Sequence, residues 1–508
     1  MTRSKLFTAL ICLLLPGLLT IGWFYSNVPN TQSSNLPDYP TIDIPQPPVS
    51  TLIPRATPPA VPSTTILFDM SHSNMATLSE IDPFIRFIEA KGGEIRVTEN
   101  EFDLAQLLKS ANAYVTLAPI QGFSGADITA IKEFVYRGGK LIVSADPTRN
   151  VMSTENPTTG YARGFTSVEV SNILLEPFDI SIADDYLYDM SSNEGNFRNV
   201  IFKEFEDNDL TQDINQLVIY GGHSVTSNGN SLATNNETTF SSATDQSGKF
   251  SPFALVKYGQ GSVLAIGDFS LLTSQYIYSA DNQVFANNLA DFITQPLRSK
   301  TLADFPRLFS GKILIQPVKK MDVDGEFLTV VSKLESLLDA REGDLTISRE
   351  DKSSVDRIIL STFDSKDNPE DIIKALKLNL KPEPVETASS TPVSTLKATL
   401  ETTRTPLPEE TVEEPGGNEE FATEVPTELK VSGSEIEVPG MGRLASSELG
   451  LVGLVHEKDR TTLIIMAETP EKTRGFVKEI ALNQLTGCFV FGNVAACKVT
   501  GSDLEPKG

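Results

Sequence analysis

Apolar positions fall into short blocks along the chain, and the spacing inside each block predicts its element. Residues 65–69 (TILFD) form a compact apolar run that reads as a strand; Leu78, Ile81, Phe84, Ile85 and Ile88 then recur at helical spacing up to a Gly92-Gly93 stop. Residues 94–98 and 113–117 read as the second and third strands, with a helix over 103–111 between them. Ser124 is placed to cap a helix carrying Ile128, Ile131, Phe134 and Val135, which Gly138-Gly139 ends, and 140–144 (KLIVS) gives a fourth strand. Strands separated by helices of this length predict right-handed βαβ units on a parallel sheet. Residues 217–220, 253–258 and 262–268 read as further strands of that sheet, before a closing helix over 283–293. The expected fold class is α/β, a doubly wound, mostly parallel sheet.

Smaller α/β parts follow. Strands are expected over 344–348 and 357–360, and Asn368 and Pro369 as N-cap and first turn of a helix ending near Leu378. Near the C-terminus, 451–456 and 461–467 read as a hairpin, Thr469 and Pro470 open a helix through about 485, and 488–497 (CFVFGNVAAC) is a second hairpin around the Gly492-Asn493 turn. Counting outward from that turn, Cys488 faces Cys497 across a non-hydrogen-bonded pair, whose Cα separation of about 4.5 Å lies in the disulfide window. A disulfide is predicted, worth roughly 2 to 3 kcal/mol as a local staple. The RIILSTF/PEDIIKALKLNL and TLIIMAE/PEKTRGFVKEIALNQL segments echo one another, so 310–380 and 431–502 are readable as a degenerate repeat or as two pieces of one domain.

The ends and joints of the chain have a different texture. Arg3 and Lys5 precede an uncharged run over 6–25, long enough at 1.5 Å per residue to cross about 30 Å of hydrocarbon. Trp23 and Tyr25 sit at interfacial depth, and no Lys or Arg follows until Arg55, which places the N-terminus in the cytoplasm and the bulk outside. The run exceeds the core of a cleaved signal peptide and no small-x-small site follows, so a single-pass anchor over 1–26 in the cell membrane is expected. Cys12 reads as a thiol in that span. Residues 27–64, with ten prolines, make a stalk. Residues 381–430, with seven prolines, ten threonines and eleven glutamates against four basic residues, make a disordered acidic linker. Folded material is thus expected in 65–300, 310–380 and 431–502.

Charge and composition then narrow the chemistry. Forty-two Lys and Arg against 67 Asp and Glu leave −25 over 508 residues, which repels nucleic acid. Three Cys and three His supply little for a zinc cluster, and no cofactor or metal is expected. Asp322, Asp324 and Glu326 (DVDGE) lack EF-hand spacing and read as a solvated turn.

In a doubly wound sheet, ligands bind beyond the carboxyl ends of the strands. The polar residues there are Asp69, Ser71 and His72 (FDMSHSN), Asp146, Thr148 and Arg149 (SADPTRN) and Asp268 (IGDFS). A carboxylate, an imidazole and a guanidinium on one rim suit a polar or anionic ligand or proton transfer. The alternative use of such residues is capping of the next turn or helix. His223 and His456 have no evident companions and read as surface or satisfied structural residues.

The blocks ILFDMSHSN, APIQGFSGADITAIKEFVYRGGKLIVSADPTRN and GQGSVLAIGDFSLLTSQYIYSADNQVFANNLADFI resemble, over about 65–296, a family of membrane-anchored proteins of unknown function. Their ectodomain has a class I glutamine-amidotransferase-like fold. Related domains occur in auxiliary proteins of gliding-motility and ABC-type transport systems and in an intraflagellar-transport component. The resemblance aligns Asp69 and His72 with the first block, Asp146 with the second, and Asp268 with Asn282 in the last. It departs from true amidotransferases in the nucleophile: Cys12, Cys488 and Cys497 all lie outside this domain, and Ser144 lacks the flanking glycines of a nucleophile elbow.

Two functions follow as expectations. One is a non-catalytic extracytoplasmic binder or scaffold, an auxiliary component of a transport or envelope assembly with a protein partner or polar ligand. The other is a hydrolase-like enzyme using Asp69 and Asp146 with His72 as base.

Overall fold

The computed structural model describes residues 3–26, 64–98, 104–149, 151–152, 164–235, 237–309, 311–338, 344–352, 355–383, 435–457, 460–482 and 488–499. The chain divides into two units, 1–54 and 55–508. In the first, α1 (Arg3–Ser26) is a helix of 24 residues with Pro16 inside it. Among the described residues no helix is long and apolar enough to cross a membrane, so the expected span is not shown. The expected stalk lies outside the described residues but for Thr64, and so does the acidic linker but for 381–383.

In the second unit, β1 (Thr64–Asp69), α2 (Asp82–Ala90), β2 (Gly93–Thr98), α3 (Leu104–Ser110), β3 (Ala111–Leu117), α4 (Gly125–Tyr136) and β4 (Lys140–Ser144) alternate as the apolar spacing requires. After α5 (Ser167–Leu175) and β5 (Leu217–Tyr220), the hairpin β6 (Phe253–Tyr258) and β7 (Gly261–Ile266) leads to α6 (Asn282–Thr294). The sheet order is β6-β7-β4-β3-β1-β2, parallel except for β6. Residues alternate between its faces. Leu67, Tyr114, Leu141 and Val143 join one core with α3, α4 and α5, while Phe68 turns to the other face and meets Phe84 of α2 edge-to-face at 6.5 Å. The chain steps from β1 to β2 on one side and to β3, β4 and β7 on the other, so the topological switch point lies between β1 and β3.

Local signals explain where elements start. Ser124 and Asp127 form a reciprocal capping box on α4, with both bonds at 3.1 Å. α2 starts later than its periodicity predicts, leaving Leu78 and Ile81 outside. The Glu80 carboxylate accepts the Thr77 N–H and is held by Arg149, so 77–81 is a fixed turn, and Pro83 presets the first helical turn. β5 also departs from expectation, because it pairs antiparallel with Asn199–Phe202 in a separate two-stranded ribbon.

A second sheet follows, built from β8 (Ile313–Pro317), β9 (Leu345–Ile347), β10 (Asp356–Thr362), β11 (Leu449–His456), β12 (Thr461–Ala467), β13 (Cys488–Phe491) and β14 (Val494–Lys498). Its order is β9-β8-β10-β12-β11-β14-β13, so strands from both sides of the acidic linker share one sheet. The echoed strands β10 and β12 are parallel neighbours, from Arg357 opposite Thr462 to Thr362 opposite Ala467. Their helices pack on opposite faces. Ile372 of α7 (Glu370–Ala375) joins Ile359 and Ile464, whereas Phe476 and Val477 of α8 (Pro470–Ala481) join Ile358 and Leu463.

Three details differ from the sequence reading. A fourteen-residue helix, Gly325–Leu338, starts within DVDGE, where the sequence reading placed a solvated turn. Asn368 does not cap α7; its side chain bonds the Ser361 hydroxyl and the Thr362 carbonyl instead. α8 stops at Ala481 rather than near 485. A three-stranded sheet of Asn379–Glu383, Glu435–Val438 and Gly442–Ala445 flanks the domain. The hairpin register is as counted from the turn, and Cys488 and Cys497 form a disulfide.

Candidate functional site

The switch point between β1 and β3 is where a ligand is expected, and Asp69 at the end of β1 occupies it. Its side chain is out of contact with water. Oδ1 accepts the Ser71 N–H at 3.1 Å, the Ser71 hydroxyl at 2.8 Å and the Thr98 hydroxyl from the end of β2 at 3.1 Å. Oδ2 accepts the Asn74 amide at 2.8 Å, and the Nδ1–H of His72 forks to both oxygens at 3.0 Å. Thr116 of β3 closes the ring, its Oγ1 3.0 Å from Asp69 Oδ2 and 2.9 Å from Asn74 Oδ1, which also accepts the Leu117 N–H. Burial works to raise the Asp69 carboxyl; the hydrogen bond and charge of His72, with Asn74 and Ser71, more than reverse it and bring it to about 2. His72 stacks on Phe123 with ring centroids 3.7 Å apart, and its Nε2 makes no hydrogen bond among the described residues.

A second cluster lies at the ends of β4 and β7. Asp146 accepts from Thr148 N at 2.8 Å, Thr148 Oγ1 at 2.6 Å, Arg149 Nε at 3.0 Å and Ser270 Oγ at 3.3 Å. Arg149 is fully committed: it grips Glu80 with two bonds of 3.0 and 2.8 Å, donates to the Met75 carbonyl at 2.9 Å, and lies over the Phe269 ring. Arg149 therefore straps the loop after β1 to the loop after β4. Asp268, wholly buried, accepts the Tyr220 and Ser270 N–H groups at 3.0 and 2.8 Å; burial and the neighbouring charge of Asp146 push its carboxyl up.

Asn282 is not on this rim. At the start of α6 it clasps β5, accepting the Val218 N–H at 3.1 Å and donating to the Val218 carbonyl at 3.0 Å. Ser144 is fully buried and its hydroxyl faces the Ala145 and Ile266 carbonyls, 3.0 and 2.9 Å away. Asp324 caps its helix by accepting the Phe327 N–H at 2.9 Å and pairs with Arg474. Among the described residues, no group of three or more His, Cys, Asp or Glu is placed to hold a metal ion.

His223 corrects the sequence reading. It is 2% exposed and neither ring nitrogen finds a hydrogen-bond partner; Asp185 Oδ1 lies 4.0 Å from Nδ1. Burial lowers its pKa against the pull of Asp185, Asp184 and Asp146. Its backbone N–H bonds the Gly267 carbonyl at 2.9 Å, which fixes the 221–224 loop on the end of β7. His456, by contrast, is exposed, with Nε2 2.6 Å from the Lys300 carbonyl. Of the residues that sequence reasoning missed, Thr116 carried a signal, as a hydroxyl inside the apolar run AYVTL. Glu80 and Thr98 carried none.

A shallow open depression of about 590 Å³ lies elsewhere, bounded by Asn172, Ile173, Glu176, Ile180 and Thr226, and includes none of the strand-end residues.

Residues 84–290 match a domain of unknown function, DUF4350. No curated protein matches the chain. Among solved structures, the mmIFT52 N-terminal domain is 14% identical, covering 46% of this chain and 98% of its own, with a TM-score of 0.36. A cytoplasmic protein from Salmonella typhimurium LT2 is 13% identical, covering 45% of this chain and 99% of its own, with a TM-score of 0.29. Neither value lends this chain a function.

Proposed function

We propose that this chain is a non-catalytic binding or scaffold protein, held at the outer face of the cell membrane by residues 6–25. In this reading it serves as an auxiliary part of a transport or envelope assembly, with an amidotransferase-like ectodomain that has lost its chemistry. The observation that carries it is the plugged switch point: Asp69, Ser71, Asn74, Thr98 and Thr116 spend their polar groups on one another, where a catalytic relative would present them to substrate. The absence of any cysteine between residues 13 and 487 agrees with it. The Cys488–Cys497 disulfide agrees with an oxidising compartment, and Arg3 and Lys5 before the apolar run agree with a cytoplasmic N-terminus.

One observation favours a second reading. His72 is oriented by Asp69 through Nδ1 and stacked on Phe123, the arrangement of a general base with its Nε2 still to be used. The two separate in detergent-solubilised full-length protein assayed against ester, amide, glycoside and phosphoester substrates. Binding is supported by no turnover above the His72→Ala background. Turnover that His72→Ala abolishes without loss of folding establishes the enzyme instead.

A further inference from the structure

The insert between α5 and β6 covers the strand ends with material unlike the rest of the domain. Residues 183–250 contain eleven Asp and Glu against three Lys and Arg, more than twice the net negative charge per residue of the whole chain. On this insert an aromatic patch reaches the surface. Tyr188 is its hub: it stacks on Phe240 at 5.4 Å, meets Phe197 edge-on at 6.1 Å and lies 6.0 Å from Tyr186. The Arg198 guanidinium carbon lies 4.3 Å from the centre of the Tyr186 ring. Met190 is 73% and Phe197 42% exposed. Exposed aromatic, Met and Arg side chains gathered in one place are the composition of an interface core. Three exposed carboxylates attend the patch. Asp184 precedes Tyr186, Glu194 lies in the turn that carries Phe197 and accepts the Tyr220 hydroxyl at 3.1 Å, and Asp245 accepts the Tyr188 hydroxyl at 3.4 Å. None of the three forms an ion pair with Lys or Arg among the described residues. An apolar centre bordered by unneutralised carboxylates selects a partner with Lys or Arg around apolar side chains, and it repels anionic lipid and nucleic acid.

We propose that the Met190–Phe197–Tyr188 face docks a basic, partly apolar segment of a partner protein. This rests on the binding reading above and names its partner chemistry. Backbone ties the patch to the loop on the end of β7: the Gly221 N–H bonds the Arg198 carbonyl at 2.7 Å, and the His223 N–H in the same loop bonds the Gly267 carbonyl at 2.9 Å.

The test places a photo-crosslinking benzoylphenylalanine at position 190 or 197 of the full-length chain in its own membranes, with Leu328, 50% exposed on the second domain, as the control position. Expected is a protein adduct at 190 and 197 and not at 328, mapped to a Lys- or Arg-bearing segment. Its yield should fall roughly fivefold in Glu194→Gln/Asp245→Asn or at high salt. The proposal is overturned by no adduct, by the same adduct at 328, by adducts to lipid, glycan or a second copy, or by a yield insensitive to charge. A label at exposed Ser73 that captures a partner while 190 and 197 do not would sink this surface and leave the binding reading standing. Catalytic turnover lost in His72→Ala would sink that reading itself.

Discussion

Arg298 and Asp304 form a two-pronged ion pair, 2.9 Å from Nη1 to Oδ2 and 3.0 Å from Nη2 to Oδ1, with both side chains shielded from water. Arg298 also donates to the Ala111, Leu108 and Lys109 carbonyls, so it ties the segment leading into the second domain to the base of the first. Arg298→Met leaves the buried Asp304 with only the longer 3.7 Å contact to Arg137 and the bonds from Thr301, and should cost about 3 kcal/mol. Arg298→Met/Asp304→Leu should recover a large part of that loss. Urea unfolding of both variants checks the pair.

Asp69 makes stability fall in acid. Its carboxyl titrates at about 2 in the fold and near 4 when unfolded, so its contribution is complete above about pH 4 and disappears as pH drops toward 2. Asp69→Asn should lower stability at neutral pH by about 2 kcal/mol through lost hydrogen bonds, and should flatten the acid limb of a stability-versus-pH curve. An acid limb as steep as that of the unmodified protein would refute the assignment.

Gly267 lies where no side chain fits, since a β-carbon there would sit 2.1 Å from the His223 carbonyl oxygen. Gly267→Ala should force the 221–224 loop off the end of β7, at a cost of about 1 to 3 kcal/mol. Faster amide exchange at His223, whose N–H bonds Gly267, is the local readout.

Replacing both Cys488 and Cys497 by Ala should cost about 2 to 3 kcal/mol, from the freedom returned to the unfolded chain. The loss should show as a lower unfolding midpoint, with thiol titration of the native denatured protein reporting one free thiol, from Cys12.

The strands and helices of the first sheet were legible because their packing is periodic, and the second hairpin because a two-residue turn fixes register outward. What escaped the sequence is long-range. β5 has the same apolar run as a sheet strand, and what holds it in a separate ribbon is remote in sequence: its pairing with Asn199–Phe202, the Asp268 carboxylate on the Tyr220 N–H, and Asn282, sixty-four residues on from Val218. Asp69, His72, Asp146 and Arg149 were found from their positions at strand ends, but the saturation of Asp69 and Arg149 depends on Glu80, Thr98 and Thr116, whose partners no local pattern reveals. His223 was misjudged for the same reason: nothing in YGGHS announces that the loop folds inward against Gly267.

The pairing of Asn379–Glu383 with Glu435–Val438 sets Glu383 opposite Glu435, the two points where the chain departs from and rejoins the flanking three-stranded sheet. The domain is thereby clasped at the neck of its own excursion. Fifty-one residues can grow, shrink or be cut between those points while β10 and β12 keep their partnership, because lengthening a loop already closed at its base costs only about 0.6 kcal/mol per doubling. The sequence of that stretch is thus free to change on grounds other than folding.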